Sequence, residues 1–162
     1  MVPYRVGFGY DVHRLGPNRE LWIGGIKIEH DLGAIGHSDA DVLLHAICDA
    51  LLGALSLGDI GQHFPDTSNE FKGIDSKILL EKTCSLVREK GWEIANIDCS
   101  LSLERPKVMK HANIMKEAIS KVARVSTDQI SIKATTGERM GFVGREEGLC
   151  AYAVALIYRS QV

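Results

Sequence analysis

Asp11 and His13 provide a carboxylate and an imidazole at a spacing that could bind one cation. They alternate with Tyr10 and Val12 in residues 4–13, where apolar side chains follow the two-residue period of a β-strand. Both side chains are therefore expected on one face at the end of this strand, about 6.5–7 Å apart along its axis. Because D-x-H is a short motif, a surface pair on a strand end is an alternative interpretation.

A third metal ligand is available on a predicted helix. Asp41, His45 and Asp49 recur at i, i+4 and i+8, so they form a polar stripe on an otherwise apolar helix. Polar groups that are buried need partners, and a metal with its surrounding hydrogen bonds would supply them. Three Asp/His ligands with an open fourth position are typical of a catalytic zinc site. The alternative is that His45 is a hydrogen-bonded core residue.

Two further segments have groups that suit phosphate chemistry. Residues 36–41 place His37, the Ser38 hydroxyl and several backbone N–H groups at a helix N-terminus, which favours an anion. Residues 133–138 offer threonine hydroxyls and the Glu138 carboxylate, which could hold a harder cation such as Mg²⁺ that bridges phosphate oxygens. On composition alone, the first segment could be a simple helix cap and the second a polar turn.

The composition is that of an ordinary globular enzyme rather than of a nucleic-acid or membrane protein. The 162 residues are expected to form a single domain over 1–162. A net charge of −2 gives no general attraction for nucleic acid or for anionic lipid. Four dispersed cysteines without a C-x-x-C pair indicate neither a disulfide framework nor a thiolate zinc site.

The N-terminal residues show no pattern of a signal or transit peptide. The most apolar stretch, residues 40–57, is interrupted by three polar side chains of the stripe and does not have the composition of a membrane span. We therefore expect a cytoplasmic protein that does not associate with membranes.

The elements that must position these residues alternate between strands and helices. Gly24 and Gly25 predict a hairpin over 21–28, and Ser38 or Asp39 is expected to cap the first helix. Strands are predicted over 4–13, 92–103, 129–136 and 149–159, helices over 40–56, 75–90 and 107–124, and glycine-rich loops over 31–38, 57–66 and 137–148, the last with room for one helical turn.

This order predicts an α/β fold, a two-layer sandwich of one mixed β-sheet with helices on one face. With few aromatic residues to build another layer, the second face of the sheet is expected to be covered by a partner subunit.

These segments together resemble the 2-C-methyl-D-erythritol 2,4-cyclodiphosphate synthase family of the non-mevalonate isoprenoid (terpenoid) pathway. The motifs occur in order along almost the whole chain: Gly9-Tyr-Asp-Val-His13, Gly36-His-Ser-Asp-Ala-Asp-Val-Leu-Leu-His45, Asp49-Ala-Leu-Leu-Gly53, Leu57-Gly-Asp-Ile-Gly61, His63-Phe-Pro-Asp66, Phe71-Lys-Gly-Ile-Asp-Ser76, Arg105-Pro-Lys107, Lys133-Ala-Thr-Thr136 and Gly141-Phe-Val-Gly-Arg-Glu-Glu-Gly148.

The resemblance implies a metal-dependent lyase. It would cyclise 4-diphosphocytidyl-2-C-methyl-D-erythritol 2-phosphate to the 2,4-cyclodiphosphate and release CMP, in a homotrimer whose sheets face the trimer core and whose active sites lie between adjacent subunits. Asp11, His13 and His45 match the family's zinc ligands, and Glu138 matches the residue that holds a second ion, Mg²⁺ or Mn²⁺. His37 and Thr136 match the residues that steady the transition state.

The resemblance also implies a set of substrate-binding residues beyond the metal ligands. Ser38 would help bind phosphate, residues 59–61 and 64–68 would contact the hydroxyls of the erythritol part and line the pocket, and residues 103–109 would form the cytosine pocket, with further contacts from Thr135, Thr136, Phe142 and Arg145. The whole set consists of Asp11, Val12, His13, His37, Ser38, Asp59, Ile60, Gly61, Phe64, Pro65, Asp66, Thr67, Ser68, Leu103, Glu104, Arg105, Pro106, Lys107, Val108, Met109, Thr135, Thr136, Gly137, Glu138, Phe142 and Arg145. The chain departs from the pattern at Gly137, where many members carry a hydroxyl residue, and at Arg139-Met140, where a Lys-Leu pair is common.

Two other classes of function remain open on the residues alone. A zinc hydrolase or lyase of another kind would need a general base close to the metal rather than a cytosine pocket. A non-catalytic module would use the three ligands for a structural metal, which an open fourth position argues against.

Overall fold

The computed structural model describes residues 2–65 and 72–160. The strands are β1 Tyr4–Pro17, β2 Leu21–Ile23, β3 Ile26–Ile28, β4 Leu32–Ile35, β5 Trp92–Ser102, β6 Ile130–Thr135 and β7 Gly148–Arg159. The helices are α1 Val42–Ala54, α2 Ile60–His63, α3 Ser76–Glu89, α4 Ala112–Ala123 and α5 Gly141–Gly144. No helix in this part of the chain is long and apolar enough to cross a membrane.

The main sheet has five strands in the order β4-β1-β7-β5-β6. β5 and β6 are parallel and the other neighbours are antiparallel, so the sheet is mixed as predicted. The predicted hairpin is also confirmed, with β2 and β3 forming a separate two-stranded sheet around Gly24 and Gly25.

The structure corrects the predicted elements at three places. Residues 32–35, predicted as loop, form β4 and extend β1 to Pro17 by pairing with it, so Asp11 and His13 lie inside the strand rather than at its end. Residues 60–63 form the short helix α2, whose cap Asp59 accepts a hydrogen bond from the Gln62 backbone N–H. The third long helix begins at Ala112 rather than 107, because a 3₁₀ turn over Met109–His111 precedes it.

The cap of α1 also differs from the prediction. It is Asp41, rather than Ser38 or Asp39, whose carboxylate accepts a hydrogen bond from the Leu44 backbone N–H at 3.1 Å. The same buried carboxylate accepts from Gly24 N (2.9 Å) and Gly25 N (2.7 Å). Asp41 therefore attaches the hairpin turn to the start of α1.

Helices pack on one face of the sheet, and the opposite face is open. α1 lies against β1 and β7, and α3 and α4 complete the layer. On the other face large apolar side chains of β1 and β7 are exposed, namely Tyr4, Val6, Phe8, Tyr10, Val12, Tyr152, Val154 and Tyr158. A continuous apolar face of this kind is characteristic of an interface.

Candidate metal centre and substrate cavity

Asp11, His13 and His45 form one compact cluster. Asp11 Oδ2 lies 2.9 Å from His13 Nε2 and 3.0 Å from His45 Nδ1, and the two imidazole nitrogens are 3.2 Å apart. Within residues 2–65 and 72–160 this is the group of His, Cys, Asp and Glu side chains that could hold a metal ion. The sequence-based prediction that these residues come together is confirmed.

The donor set and its spacing fit a zinc-like ion. Zn²⁺ bound at about 2.0–2.2 Å in a tetrahedron has ligand atoms roughly 3.3 Å from one another. The three observed separations, 2.9, 3.0 and 3.2 Å, are close to that value, and all three residues line the neighbouring cavity. One carboxylate and two imidazoles are also ligand types that zinc accepts.

Glycines in β1 bring the helix to the strand. Asp11 and His13 share the helix-facing side of β1 with Gly7 and Gly9. A Cβ atom on Gly7 would collide with the Ala50 backbone carbonyl, and one on Gly9 with that of Ala46. Because neither glycine has a side chain, α1 lies directly on the strand backbone and His45 reaches the Asp11 carboxylate.

Burial and hydrogen bonding set the charges of the cluster. Burial by itself would raise the pKa of Asp11, but hydrogen bonds from His13 and His45 outweigh it and lower the pKa to about 2. Burial by itself would lower the pKa of His45, but the hydrogen bond to Asp11 and the negative charge of that carboxylate raise it. Asp11 is therefore an anion at neutral pH, and in the metal-free protein it attracts either a proton on His45 or a cation.

Each residue of the polar stripe on α1 has a partner. Asp41 binds the hairpin turn, and His45 faces Asp11. Asp49 accepts a hydrogen bond from the Ile60 backbone N–H at 2.7 Å, which fixes α2 to α1. Burial raises the pKa of Asp49 despite that hydrogen bond. The stripe thus connects α1 to the β2–β3 hairpin, to β1 and to α2.

A cavity of about 390 Å³ opens beside the cluster. Its lining brings together the metal ligands, the loop before α1 and the α2 segment, with Asp11, His13, Gly36, His37, Ser38, His45, Ile60, Gly61, Phe64, Ile74 and Leu79. Most predicted phosphate and erythritol contacts are therefore in one place. Asp59 caps α2 at its edge, Pro65 is exposed, and the predicted contacts Asp66, Thr67 and Ser68 lie outside the described residues.

The residues predicted to bind cytosine form a second cluster around the ends of β5 and β6. The Leu103 backbone N–H donates to Thr135 O (3.0 Å), and the Gly137 N–H donates to the Glu104 carboxylate (2.8 Å). Thr136 Oγ1 lies 3.3 Å from Glu138 Oε1. The predicted residues Pro106, Lys107, Val108 and Met109 continue the loop from β5.

Two arginines of this region are held by carboxylates. Arg105 makes two hydrogen bonds with Glu146, at 2.8 and 2.9 Å, and Arg145 makes two with Glu147, at 2.9 and 3.1 Å. Phe142, 38% exposed, lies in the short helix α5 nearby.

Gly137, which departs from the family pattern, is in close contact with its surroundings. A Cβ atom there would lie 2.6 Å from Gly144 N and 3.0 Å from Met140 O. A hydroxyl residue would therefore require this turn to open, so the departure matches the local backbone. Met140, which belongs to the other departure, is 69% exposed.

Among the described residues, none of the Glu138 cluster lines the cavity beside the metal cluster. Thr135 is opposite Ser102, Ser102 is opposite Cys150, and Cys150 is opposite Val12, which lies between Asp11 and His13. Three strand spacings correspond to roughly 14 Å between the β6 and β1 backbones. The two groups, which we call the two half-sites, therefore belong to strands that are not neighbours in the sheet.

Sequence reasoning did not assign a role to Ser76, which contacts the metal cluster. His45 Nε2 lies 2.9 Å from Ser76 Oγ and 3.1 Å from Ser38 Oγ, and Ser76 is in turn bonded to Asp39. Ser76 is predicted from the sequence only as a residue at the start of a helix, because nothing in a local pattern places residue 76 beside residue 45.

The fold and the site together define a class: a one-domain α/β protein with an Asp-His-His group that could hold a metal ion beside a cavity. The chain belongs to the YgbB family, whose model matches residues 4–158.

Named relatives agree with this assignment. The 2-C-methyl-D-erythritol 2,4-cyclodiphosphate synthase of Parabacteroides distasonis is 63% identical over 155 residues, with 96% of each chain covered. A solved structure of IspF from Plasmodium falciparum in complex with CDP is 30% identical, with a TM-score of 0.87 and 99% of both chains covered. The bifunctional IspDF of Campylobacter jejuni is 39% identical with a TM-score of 0.93, over 96% of this chain and 42% of that one.

Proposed function

We infer that this chain is a lyase that converts 4-diphosphocytidyl-2-C-methyl-D-erythritol 2-phosphate to 2-C-methyl-D-erythritol 2,4-cyclodiphosphate and CMP, in the non-mevalonate isoprenoid pathway. The Asp11, His13 and His45 cluster beside a cavity that also holds His37 and Ser38 is the observation that carries this inference. The family membership and a curated relative of that name at 63% identity support it.

The reaction exchanges one phosphoanhydride bond for another within one molecule. An oxygen of the 2-phosphate forms a bond to the β-phosphorus, and the bond from that phosphorus to the bridging oxygen breaks, so that CMP leaves without uptake of water. Repulsion between two anionic phosphates is the main obstacle. Holding both on one aligned molecule helps greatly, since intramolecular reactions can reach effective molarities of about 10⁵–10⁸ M.

Asp11, His13 and His45 would hold Zn²⁺, and Glu138 would hold Mg²⁺ or Mn²⁺ together with substrate phosphates. When bound, such ions act as Lewis acids that withdraw charge from phosphate oxygens. Other residues of the chain would bind and orient the phosphates. His37 and Ser38 border the metal cluster in the cavity, where they would donate hydrogen bonds to the phosphates, and Thr136 beside Glu138 would do so on the leaving side.

The substrate's two ends would contact two subunits of a homotrimer. Within one chain roughly 14 Å separates the β1 and β6 backbones that carry the two half-sites. The open face of apolar side chains on β1 and β7 offers a surface for subunit contacts. A neighbouring subunit that packs there would bring its own loop 103–109 and Glu138 to the cavity, and the cytosine ring would be bound there.

Product analysis tests the proposed reaction directly. The protein is incubated with the diphosphocytidyl substrate, Zn²⁺ and Mg²⁺ in H₂¹⁸O, and phosphorus NMR with mass spectrometry follows the products. We expect CMP and a cyclic diphosphate without ¹⁸O. Acyclic phosphates that contain ¹⁸O would instead indicate a hydrolase and contradict the proposal. The His45→Ala variant, which removes one metal ligand, serves as the inactive control.

A further inference from the structure

We propose that Ser76 and Asp39 are positioning residues that fix the tautomer and the orientation of the His45 ring and thereby the affinity of the metal centre. The inference rests on the proposed metal site at Asp11, His13 and His45. It concerns two residues outside the lining of the substrate cavity, which act through the second ring nitrogen of His45. Ser76 Oγ also lies 3.4 Å from the hydroxyl of Ser38, which does line the cavity.

The two nitrogens of His45 have different surroundings. Nδ1 faces the metal cluster, 3.0 Å from Asp11 Oδ2 and 3.2 Å from His13 Nε2. Nε2 faces away from it, 2.9 Å from the hydroxyl of Ser76. For Nδ1 to present a lone pair to a cation, the ring proton must be on Nε2, and Nε2 then needs a hydrogen-bond acceptor.

The hydrogen bond to Asp39 leaves the Ser76 oxygen as the acceptor that His45 Nε2 needs. Ser76 Oγ donates to Asp39 Oδ1, and the Ser76 backbone N–H donates to Asp39 Oδ2 at 3.0 Å. A carboxylate only accepts, and a serine hydroxyl has a single proton. Because that proton is directed at Asp39, the Ser76 oxygen can only accept from His45. The direction of the whole chain of hydrogen bonds is therefore fixed by Asp39.

Ser76 is better suited to this task than Ser38, the other hydroxyl near Nε2. Ser76 is fully buried, whereas Ser38 lines the cavity and accepts a hydrogen bond from the Ala40 backbone N–H at 3.1 Å. Ser38 is therefore available to substrate. Ser76 Oγ is enclosed, and its bond to Asp39 is outside the cavity lining.

The backbone around these residues is held in place as well. Asp39 N donates to Ile74 O at 3.1 Å, and Gly73 N donates to His37 O at 2.8 Å. These two bonds join the loop before α1 to the segment that leads into α3, and Ser76 is the first residue of α3. The N-terminus of α3 is thus part of the support of His45.

The test measures zinc affinity separately from catalysis. Wild-type protein, Ser76→Ala, Asp39→Asn and the double variant are stripped of metal, and each is titrated with Zn²⁺ against a chromophoric chelator. Loss of an outer hydrogen-bond partner of a metal ligand typically costs 10–100-fold in affinity, so we expect the dissociation constant of Ser76→Ala to rise roughly 10–100-fold. Ser120→Ala removes a buried serine hydroxyl on α4 that donates to Glu117 O, so this variant is the matched control and should bind zinc like the wild type.

Asp39→Asn tests the direction of the chain of hydrogen bonds and changes the structure less than Ser76→Ala does. The two Ser76 donors use different oxygens of the Asp39 carboxylate, and asparagine replaces one of these oxygens by an NH₂ group, which cannot accept. The hydroxyl proton is then partly released towards His45 Nε2 and competes with the ring proton. We expect Asp39→Asn to weaken zinc binding, but less than Ser76→Ala does. Because both residues act through one chain of hydrogen bonds, the double variant should bind no more weakly than Ser76→Ala.

The outcomes separate this inference from the proposed function. A wild-type protein that binds no zinc overturns both. A wild-type protein that binds zinc, together with a folded Ser76→Ala variant of equal affinity, overturns only the role of Ser76. Activity at excess zinc gives a second criterion: turnover of Ser76→Ala should return towards the wild-type value, whereas a general distortion of the cavity would not be rescued by metal. If Ser76→Ala does not fold, unchanged affinity in Asp39→Asn overturns the inference.

Discussion

The backbone carbonyl of Ala46 on α1 occupies the space beside Gly9 of β1 that a Cβ atom would need. The helix thus rests on the strand backbone itself. One residue before Ala46 on the helix is His45, and two residues after Gly9 on the strand is Asp11, so this contact fixes the distance across which the metal cluster forms.

Gly9→Ala should therefore disrupt the metal centre by moving α1 away from β1. The added methyl group meets backbone atoms that cannot rotate away, so α1 must shift, at a cost of about 1–3 kcal/mol or more in the free energy of unfolding. We expect a lower thermal midpoint and a loss of zinc binding, measured by calorimetry and chelator competition. Gly53→Ala is the matched control, since its Cβ would meet only Phe8 O at 3.7 Å and alanine favours the helix. An unchanged zinc affinity in Gly9→Ala would show that this contact does not position the site.

The metal-free protein should become less stable as the pH rises through neutrality. The pKa of His45 is raised by its hydrogen bond to Asp11 against the opposing effect of burial, so its stabilisation is complete below the unfolded value near 6.5 and is lost as the pH passes the folded pKa. The lowered pKa of Asp11, about 2, adds a second stabilisation that is present above about 3.8 and is lost as the pH falls towards 2. The thermal midpoint, plotted from pH 3 to 9, should therefore have an acid limb, where it falls at low pH, and an alkaline limb, where it falls above neutrality.

Asp11→Asn is the control for this pH dependence. It keeps the shape of the side chain and removes the charge, so both limbs should flatten and the metal-free protein should lose about 2 kcal/mol of stability near pH 6. Addition of zinc to the wild type should remove the alkaline limb, because the metal replaces the proton on His45. A wild-type curve that is flat between pH 6 and 9 would contradict the coupling between these two residues.

Phe8→Asp should separate the proposed trimer without unfolding the subunit. Phe8 is 62% exposed on the open face of the sheet, so a charge there costs little in one chain and much in an apolar interface. Light scattering should show dissociation, and activity should fall at least tenfold because each cavity loses its neighbour's half-site. Ile114→Asp, at an apolar residue of α4 that is 53% exposed on the helical side, should leave mass and activity unchanged. A Phe8→Asp variant of unaltered mass would place the subunit contact elsewhere.

Asp49→Ala should weaken substrate binding and spare the metal. The Asp49 carboxylate accepts the Ile60 N–H and so holds α2 at the edge of the cavity. Without it we expect KM to rise several-fold with little change in zinc affinity, as measured by steady-state kinetics and chelator competition. Asp49→Asn keeps an acceptor oxygen and should stay close to the wild type. A variant with unchanged KM would mean that α2 does not depend on this bond.

Much of the fold follows from local patterns. The alternation in residues 4–13, the apolar repeat around His45 and the glycine pair of the hairpin each correspond to an element that the structure contains. The errors concern segments such as residues 32–35 and 60–63, where β4 forms because β1 is available to pair with it and α2 is held by Asp49. Those partners are distant in sequence, so composition alone predicts a loop.

The sequence by itself determined which side chains share a face, because the periods of strands and helices are local properties of the chain. It therefore placed Asp11 with His13, and His45 on the stripe with Asp41 and Asp49. Only the tertiary structure decided how close β1 and α1 come, that Ser76 Oγ lies 2.9 Å from His45 Nε2, and that β6, which leads to Glu138, is the third strand from β1 in the sheet. These relationships depend on backbone packing and strand order, which join residues that no local pattern connects.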